Sequence, residues 1–180
     1  MTGQLIAVVG PSGAGKDTVM AALVAARPGL SLVRRVITRD ADAGGEDFEA
    51  VTEAAFAQMV AQGAFALHWR AHGLAYGIPA AALADLDAGQ DLVVNLSRSV
   101  LAEAQGKVSR FAVVSLTVAP EVLAQRLAAR GRESAADIEA RLARSGAALP
   151  PGLPVIEIDN SGPVQETVRA ILTALYPVSA

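Results

Sequence analysis

Leu5-Ile6-Ala7-Val8-Val9-Gly10-Pro11-Ser12-Gly13-Ala14-Gly15-Lys16-Asp17-Thr18 is the stretch on which the reading of this 180-residue chain turns. Five apolar residues run unbroken up to a glycine, the pattern of a strand covered on both faces in a parallel sheet. The segment that follows spaces Gly10, Gly15 and Lys16 as a phosphate-binding loop does, and leads into a helix predicted over 17–26. The glycines let the backbone curl so that several N–H groups converge on one phosphate, while the helix presents its positive N-terminal end. Gly10, Pro11, Ser12, Gly13, Ala14, Gly15, Lys16, Asp17 and Thr18 are therefore the expected ATP contacts, with Lys16 bridging the β- and γ-phosphates. One position departs from the usual pattern: Asp17 stands where a serine or threonine normally helps to hold Mg²⁺. Two readings of Asp17 stay open, a Mg²⁺ contact through water and a first-turn carboxylate that favours the helix dipole. ATP with Mg²⁺ is the expected ligand pair.

Working outward, apolar runs recur over 92–96, 111–118 and 155–158. Helical stretches lie between them, over 52–62, 79–88, 97–105, 120–130, 134–144 and 163–175. Pro120 and Pro163 sit where a first helical turn tolerates proline, and Ser134 with Asp137 resembles a capping box. Strands alternating with helices predict an α/β fold, a mainly parallel sheet flanked by helices, in a single domain over 1–180. The rhythm breaks at about 34–78, where short β-like pieces, a glycine turn at Gly44-Gly45 and a helix read as a small insertion carrying antiparallel strands.

Composition narrows the function. The chain is 52% hydrophobic and 18% charged with a net charge of −3, and no apolar run approaches the ~20 residues of a membrane span. Mild acidity and 4% aromatic content argue against a general nucleic-acid binder. There is no cysteine and there are two histidines, so thiolate zinc sites, disulfides and cysteine nucleophiles are excluded and a histidine metal cluster is not expected. Met1-Thr2-Gly3-Gln4 runs straight into the first strand with no basic leader, which gives the expectation of a cytoplasmic protein with no membrane partner. Nothing in the sequence specifies an oligomer. Thirteen of the fifteen cations are arginine, and a small anionic ligand is compatible with local clusters of them.

Beyond the loop the chain resembles the guanylate kinase family over nearly its whole length. Thr38-Arg39, the glycine turn with Asp47-Phe48, Gly63-Ala64-Phe65 and His72-Gly73 through Tyr76-Gly77 follow the order of that family's acceptor-binding insertion. Arg126-Leu127-Ala128-Ala129-Arg130-Gly131 and Ile138-Glu139-Ala140-Arg141-Leu142 resemble its arginine-bearing lid, here about 126–145. Thr18 is similar to a threonine that touches the α-phosphate in some nucleoside monophosphate kinases. The resemblance implies a P-loop NTPase of the nucleoside monophosphate kinase type, with a helical lid. It further implies that Lys16, Arg130 and Arg141 act on the transferred phosphoryl group, and that Arg126 and Asn160 line the ATP site, Asn160 beside the adenine.

The departures redirect the choice of acceptor. Two groups that grip guanine in that family fall on His68 and Ile78, an acidic pair falls on Asn95 and Ser97, and Arg98 follows. A site without the guanine-reading carboxylate leaves the base's N1–H unpaired, so GMP is a poor acceptor. Arg39 keeps the first phosphate arginine, the second falls near Asp42, the phosphate tyrosine falls near Phe48, and Arg34 and Arg35 add cations upstream. This combination, with Gly13-Ala14-Gly15-Lys16-Asp17, Arg35-Val36-Ile37-Thr38-Arg39, Ala64-Phe65-Ala66-Leu67-His68-Trp69 and Tyr76-Gly77-Ile78-Pro79, is similar to the ribose 1,5-bisphosphate phosphokinases. The resemblance implies a phosphorylated ribose as acceptor, held by Arg35, Arg39, His68, Tyr76, Asn95 and Arg98. The implied product is 5-phosphoribosyl 1-diphosphate, in a setting of phosphonate metabolism. His68 also reads as an ordinary polar strand residue, His72 as a turn residue, and Trp69 and Phe65 as core. The arginines of 126–145 also read as solvated helix faces. The rival enzyme is a guanylate or other nucleoside monophosphate kinase, and the rival of another class is a non-catalytic phosphopeptide-binding scaffold.

Overall fold

The computed structural model describes residues 1–43, 45–129 and 148–177, together with Ser134, Ala136 and Ala140. In chain order it contains β1 (Leu5–Val9), α1 (Lys16–Ala26), β2 (Leu30–Leu32), β3 (Arg35–Ile37), a 3-10 turn (Ala41–Ala43), β4 (Phe48–Ala50), α2 (Glu53–Ala61), β5 (Phe65–Ala71) and β6 (Leu74–Pro79). It continues through α3 (Ala80–Asp87), β7 (Asp91–Asn95), a second 3-10 turn (Arg98–Val100), α4 (Leu101–Lys107), β8 (Phe111–Thr117), α5 (Pro120–Ala129), β9 (Val155–Asp159) and α6 (Val164–Leu175). The predicted helix over 134–144, with its Asp137 cap and most of the lid, lies outside the described residues.

β1 is buried at all five positions because it is the middle of a five-stranded parallel sheet ordered β2-β7-β1-β8-β9. Ile6 and Val8 point to one face, where Val19 and Leu23 of α1 and Ile171 of α6 cover them. Leu5 and Ala7 point to the other, against Leu86 of α3 and Leu101 and Ala104 of α4. The chain runs outward to one side of β1 and then to the other, so the strand order reverses at β1 and leaves a crevice at the carboxyl ends. Val8 is in register with Asn95 and Val9 with Ser115, which puts the ends of three strands side by side at that crevice. The edge strand β2 has only three residues and was not foreseen, since so short a piece carries no periodicity.

The insertion is a second sheet, ordered β4-β3-β6-β5. β5 and β6 form the expected hairpin, closed at His72 and Gly73 with consecutive φ values of 53° and 74°, as a tight two-residue turn requires. β3 and β4 pair in parallel, which corrects the expectation of antiparallel strands alone: the 3-10 turn and the glycine segment carry the chain back to the start of β3. One face of this sheet, with Leu67, Trp69 and Ile78, joins the core of the parallel sheet. The other, with Val36, Ala75 and Phe65, packs on Phe56 of α2, whose ring stacks on Phe65 at 4.7 Å. Arg70 holds Glu53 of α2 by paired hydrogen bonds of 3.3 and 2.8 Å, which keep the Glu53 carboxyl below its usual range. Among the described residues no helix is long and apolar enough to cross a membrane.

The C-terminal helix is tied to the start of the sheet. The Tyr176 hydroxyl donates to Asp91 Oδ2 at 2.7 Å, Asp91 Oδ1 accepts from the Gln4 amide at 2.8 Å, and Arg27 lies 3.3 Å over the Tyr176 ring centroid. Burial first, and then the Asp91 carboxylate, push the phenol up to about 12. The unfolded phenol ionises near its usual value of about 10, so the stability linked to Tyr176 is complete below that pH and is lost as pH rises toward 12. A phenolate absorbance titration should show one of the chain's two tyrosines ionising near pH 12 and that step vanishing in Tyr176→Phe; ionisation of both at about pH 10 contradicts the assignment.

Candidate active site

The loop from Gly10 to Lys16 leaves β1 at the centre of the sheet, and its curl is enforced from three sides. Gly13 has φ 87°, and a side chain there would meet Leu127 Cδ2 at 2.9 Å and Leu123 Cδ1 at 3.0 Å, so α5 presses directly on the loop. Gly15 has φ 85° at the N-cap of α1, and a Cβ on it would lie 2.9 Å from Asn160 Nδ2. Both are conformations glycine takes without strain. Asn160, only 4% exposed, donates from Nδ2 to the Ala14 carbonyl at 2.7 Å, while its Oδ1 accepts from the Thr167 hydroxyl of α6 at 2.7 Å. Its own carbonyl accepts from Arg126 at 2.8 Å.

These bonds anchor Asn160 to the phosphate loop. Its carboxamide bonds the Ala14 carbonyl of the phosphate loop on one side and the Thr167 hydroxyl on the other, so the residue braces the loop. Arg126 stands at the same junction and reaches it from α5. Lys16 Nζ donates to the Gly10 and Pro11 carbonyls at 2.9 and 3.1 Å, which lays the ammonium across the mouth of the loop. Ser12, Asp17 and Thr18 are exposed around it.

Across the crevice the insertion brings its own cations. Arg35, 6% exposed, binds the Glu46 carboxylate through two nitrogens, Nε at 2.8 Å and Nη2 in a closer contact, and donates from Nη1 to the Asn95 carbonyl at 3.2 Å. Its guanidinium lies 5.0 Å from the Tyr76 ring centroid and 6.0 Å from that of Trp69, and those two rings stack with 6° between their planes. Arg39 lies 4.4 Å over the Phe48 ring. Asn95 closes β7 beside β1, and Arg98 opens the 3-10 turn that follows. Arg35, Tyr76 and the Asn95 carbonyl thus meet where the insertion reaches the carboxyl end of β7, with Arg39 over Phe48 on β4 and Arg98 three residues beyond Asn95.

A family profile described as AAA domain matches residues 6–144. A protein of Ruegeria sp. (strain TM1040) named ribose 1,5-bisphosphate phosphokinase PhnN is 53% identical, over 96% of this chain and 93% of its own. One of Pseudomonas paraeruginosa with the same name is 51% identical, over 97% and 96%. This chain belongs to the ribose 1,5-bisphosphate phosphokinase family. At the level of fold it is similar to the guanylate kinase of Anaplasma phagocytophilum, with a TM-score of 0.65 at 20% identity over 97% of this chain and 85% of that one.

Not every residue expected to meet the acceptor in a chain of this family joins the group. His68 is exposed and in register with Gly77, so it shares the face of Val36 and Ala75 that carries α2, with Phe65 at 6.4 Å between centroids. Leu67 and Trp69 take the face of Arg35 and Tyr76. The tight turn at His72-Gly73 sets this parity, since the register runs unbroken from Ala71 opposite Leu74 to Leu67 opposite Ile78, and one residue of slip reverses it. Arg130 and Arg141 lie outside the described residues. Glu46 and Thr167 were not anticipated as site residues: Glu46 lies 11 residues from Arg35 and Thr167 seven from Asn160, each across a turn whose geometry only the folded chain supplies.

Two outcomes follow. Thr167→Val removes the donor to a buried carbonyl oxygen and should cost about 1–3 kcal/mol of stability while raising the KM for ATP, measured by thermal unfolding and initial rates. His68→Ala should change the acceptor KM by less than about twofold; a larger change would return His68 to the site.

Proposed function

We propose that this chain transfers the γ-phosphoryl group of ATP to the 1-phosphate of ribose 1,5-bisphosphate, giving 5-phosphoribosyl 1-diphosphate and ADP. The observation that carries the reading is the meeting of two phosphate-holding devices at one crevice, the Gly10–Lys16 loop and the arginine-bearing insertion. Family membership supplies the sugar. The loop supports ATP as donor, with α1 offering its N-terminal end to the phosphates. Arg39, Tyr76, Asn95 and Arg98 hold the acceptor, and Arg35 stands behind them. Arg126 neutralises charge from the α5 side, and Arg130 and Arg141 add to that neutralisation as the family resemblance implies.

A phosphate oxygen is anionic near neutral pH, so the attacking atom needs no strong general base. Transfer therefore depends on alignment and charge neutralisation, which the loop N–H groups, Lys16 and the arginines provide. The acidic groups suit Mg²⁺ carried on a triphosphate better than a protein cage: no cluster of three possible metal-ligating side chains stands together among the described residues, and Asp17 is exposed at the loop. When bound, the ion supplies positive charge to the phosphates, and Asp17 would hold it through water. A cytoplasmic enzyme acting on small molecules, with no nucleic-acid or membrane partner, is the setting this implies.

Release of ADP from Mg·ATP should occur with ribose 1,5-bisphosphate and fall to background with GMP or with no acceptor; equal or faster release with GMP would overturn the assignment in favour of a nucleoside monophosphate kinase. Lys16→Ala should lower turnover by about a thousandfold, or about 4 kcal/mol, with the circular dichroism spectrum unchanged. Normal turnover in that folded variant excludes the loop from the chemistry.

A further inference from the structure

Trp69 and Tyr76 form a near-parallel aromatic pair, 5.4 Å between centroids, on the face of the insertion sheet that also carries Arg35, and aromatic rings are the kind of surface on which a planar base stacks. In this chain a guanidinium already lies there. Arg35 is planar, sits 5.0 Å from the Tyr76 centroid, and is held by three directed bonds, two to Glu46 and one to the Asn95 carbonyl. Arginine stacks on aromatic rings much as a base does, and a bidentate carboxylate fixes its plane. Glu46 is itself mostly buried, with its side chain 15% exposed, so the pair is a built part of the site wall. Ile78, 1% exposed, fills the neighbouring position on the same strand face with an apolar side chain that offers a base no hydrogen bond.

We infer that the Arg35–Glu46 pair determines acceptor specificity: it covers the aromatic face on which a planar base would stack, and so turns away nucleoside monophosphates while leaving room for a sugar that carries phosphates and no base. Glu46 has no part in the transfer itself. It is a positioning residue whose task is to lock Arg35 in the covering position. The inference rests on the proposed reading that the acceptor binds against the insertion.

The test uses the chain's single tryptophan, Trp69, as the reporter. Removing one member of a buried ion pair strands the other, so both are removed together in Arg35→Ala/Glu46→Ala. GMP and AMP are titrated against wild type and variant while Trp69 fluorescence is followed, and ADP release with ribose 1,5-bisphosphate is measured on the same preparations. Wild type should show no saturable quenching at millimolar nucleotide. The double variant should show it, with a gain in purine monophosphate affinity of about tenfold or more and a weaker response to the bisphosphate. A folded double variant that binds both nucleotides no better than wild type overturns the inference, as does saturable binding by wild type. Should the double variant not fold, the isosteric Glu46→Gln carries the same test. It should raise the ratio of purine monophosphate affinity to bisphosphate affinity by about threefold, and an unchanged ratio overturns the inference. Failure of the underlying functional reading is read separately, as wild type that releases no ADP with the bisphosphate.

Discussion

A phosphate loop works only while its backbone stays concave, and a backbone left to itself does not keep that shape. In this chain the curl is held by contact: Leu123 and Leu127 lie against Gly13, and the carboxamide of Asn160 grips the Ala14 carbonyl from below. The grip is stiff because Asn160 is itself gripped. Thr167 satisfies its oxygen, Arg126 satisfies its carbonyl, and its backbone amide bonds to the Thr117 carbonyl at 2.8 Å. Buried polar groups satisfied in this way define one arrangement, since any other leaves a donor or acceptor unpaired. The fold's last strand, last helix and α5 therefore all bear on the loop that leaves its first strand.

The second constraint is the ion pair between Arg35 and Glu46. Desolvating two charges is costly, and a buried pair contributes little net stability compared with an apolar filling. What it supplies is direction. The two bonds to Glu46 and the one to Asn95 tie the glycine segment, the insertion sheet and the end of β7 to one planar group. The insertion is thereby set against the parallel sheet at the point where donor and acceptor must approach in line, and alignment of that kind is the main resource of phosphoryl transfer.

How much of this was readable in advance depends on how local each feature is. The phosphate loop was legible because glycine spacing, strand and helix are contiguous, and Lys16 stands where the pattern puts it. The central strands were legible because burial on both faces leaves unbroken apolar runs. β2 was not, since three residues carry no period. The face of His68 could not be read because the register that the His72-Gly73 turn imposes on β5 and β6 decides which sheet neighbours it meets. Asn160 was legible as a residue of the ATP site, but its grip on the loop was not. Its bond to Ala14 spans 146 residues of chain and appears only when β9 lies beside β8. Glu46 was invisible for a different reason: only 11 residues from Arg35, it is one acidic residue in a polar turn until the turn is folded and Arg35 is seen to reach it.

The account holds that the acceptor atom is a phosphate oxygen, held by arginines and needing no base to activate it. Phosphorus NMR of the products of Mg·ATP and ribose 1,5-bisphosphate tests that claim most directly. The account predicts a new coupled diphosphate pair on carbon 1 with the 5-phosphate resonance unchanged. A new phosphate monoester, formed by transfer to a ribose hydroxyl, would contradict it, because a neutral hydroxyl, unlike a phosphate oxygen, must give up a proton to a base as it attacks.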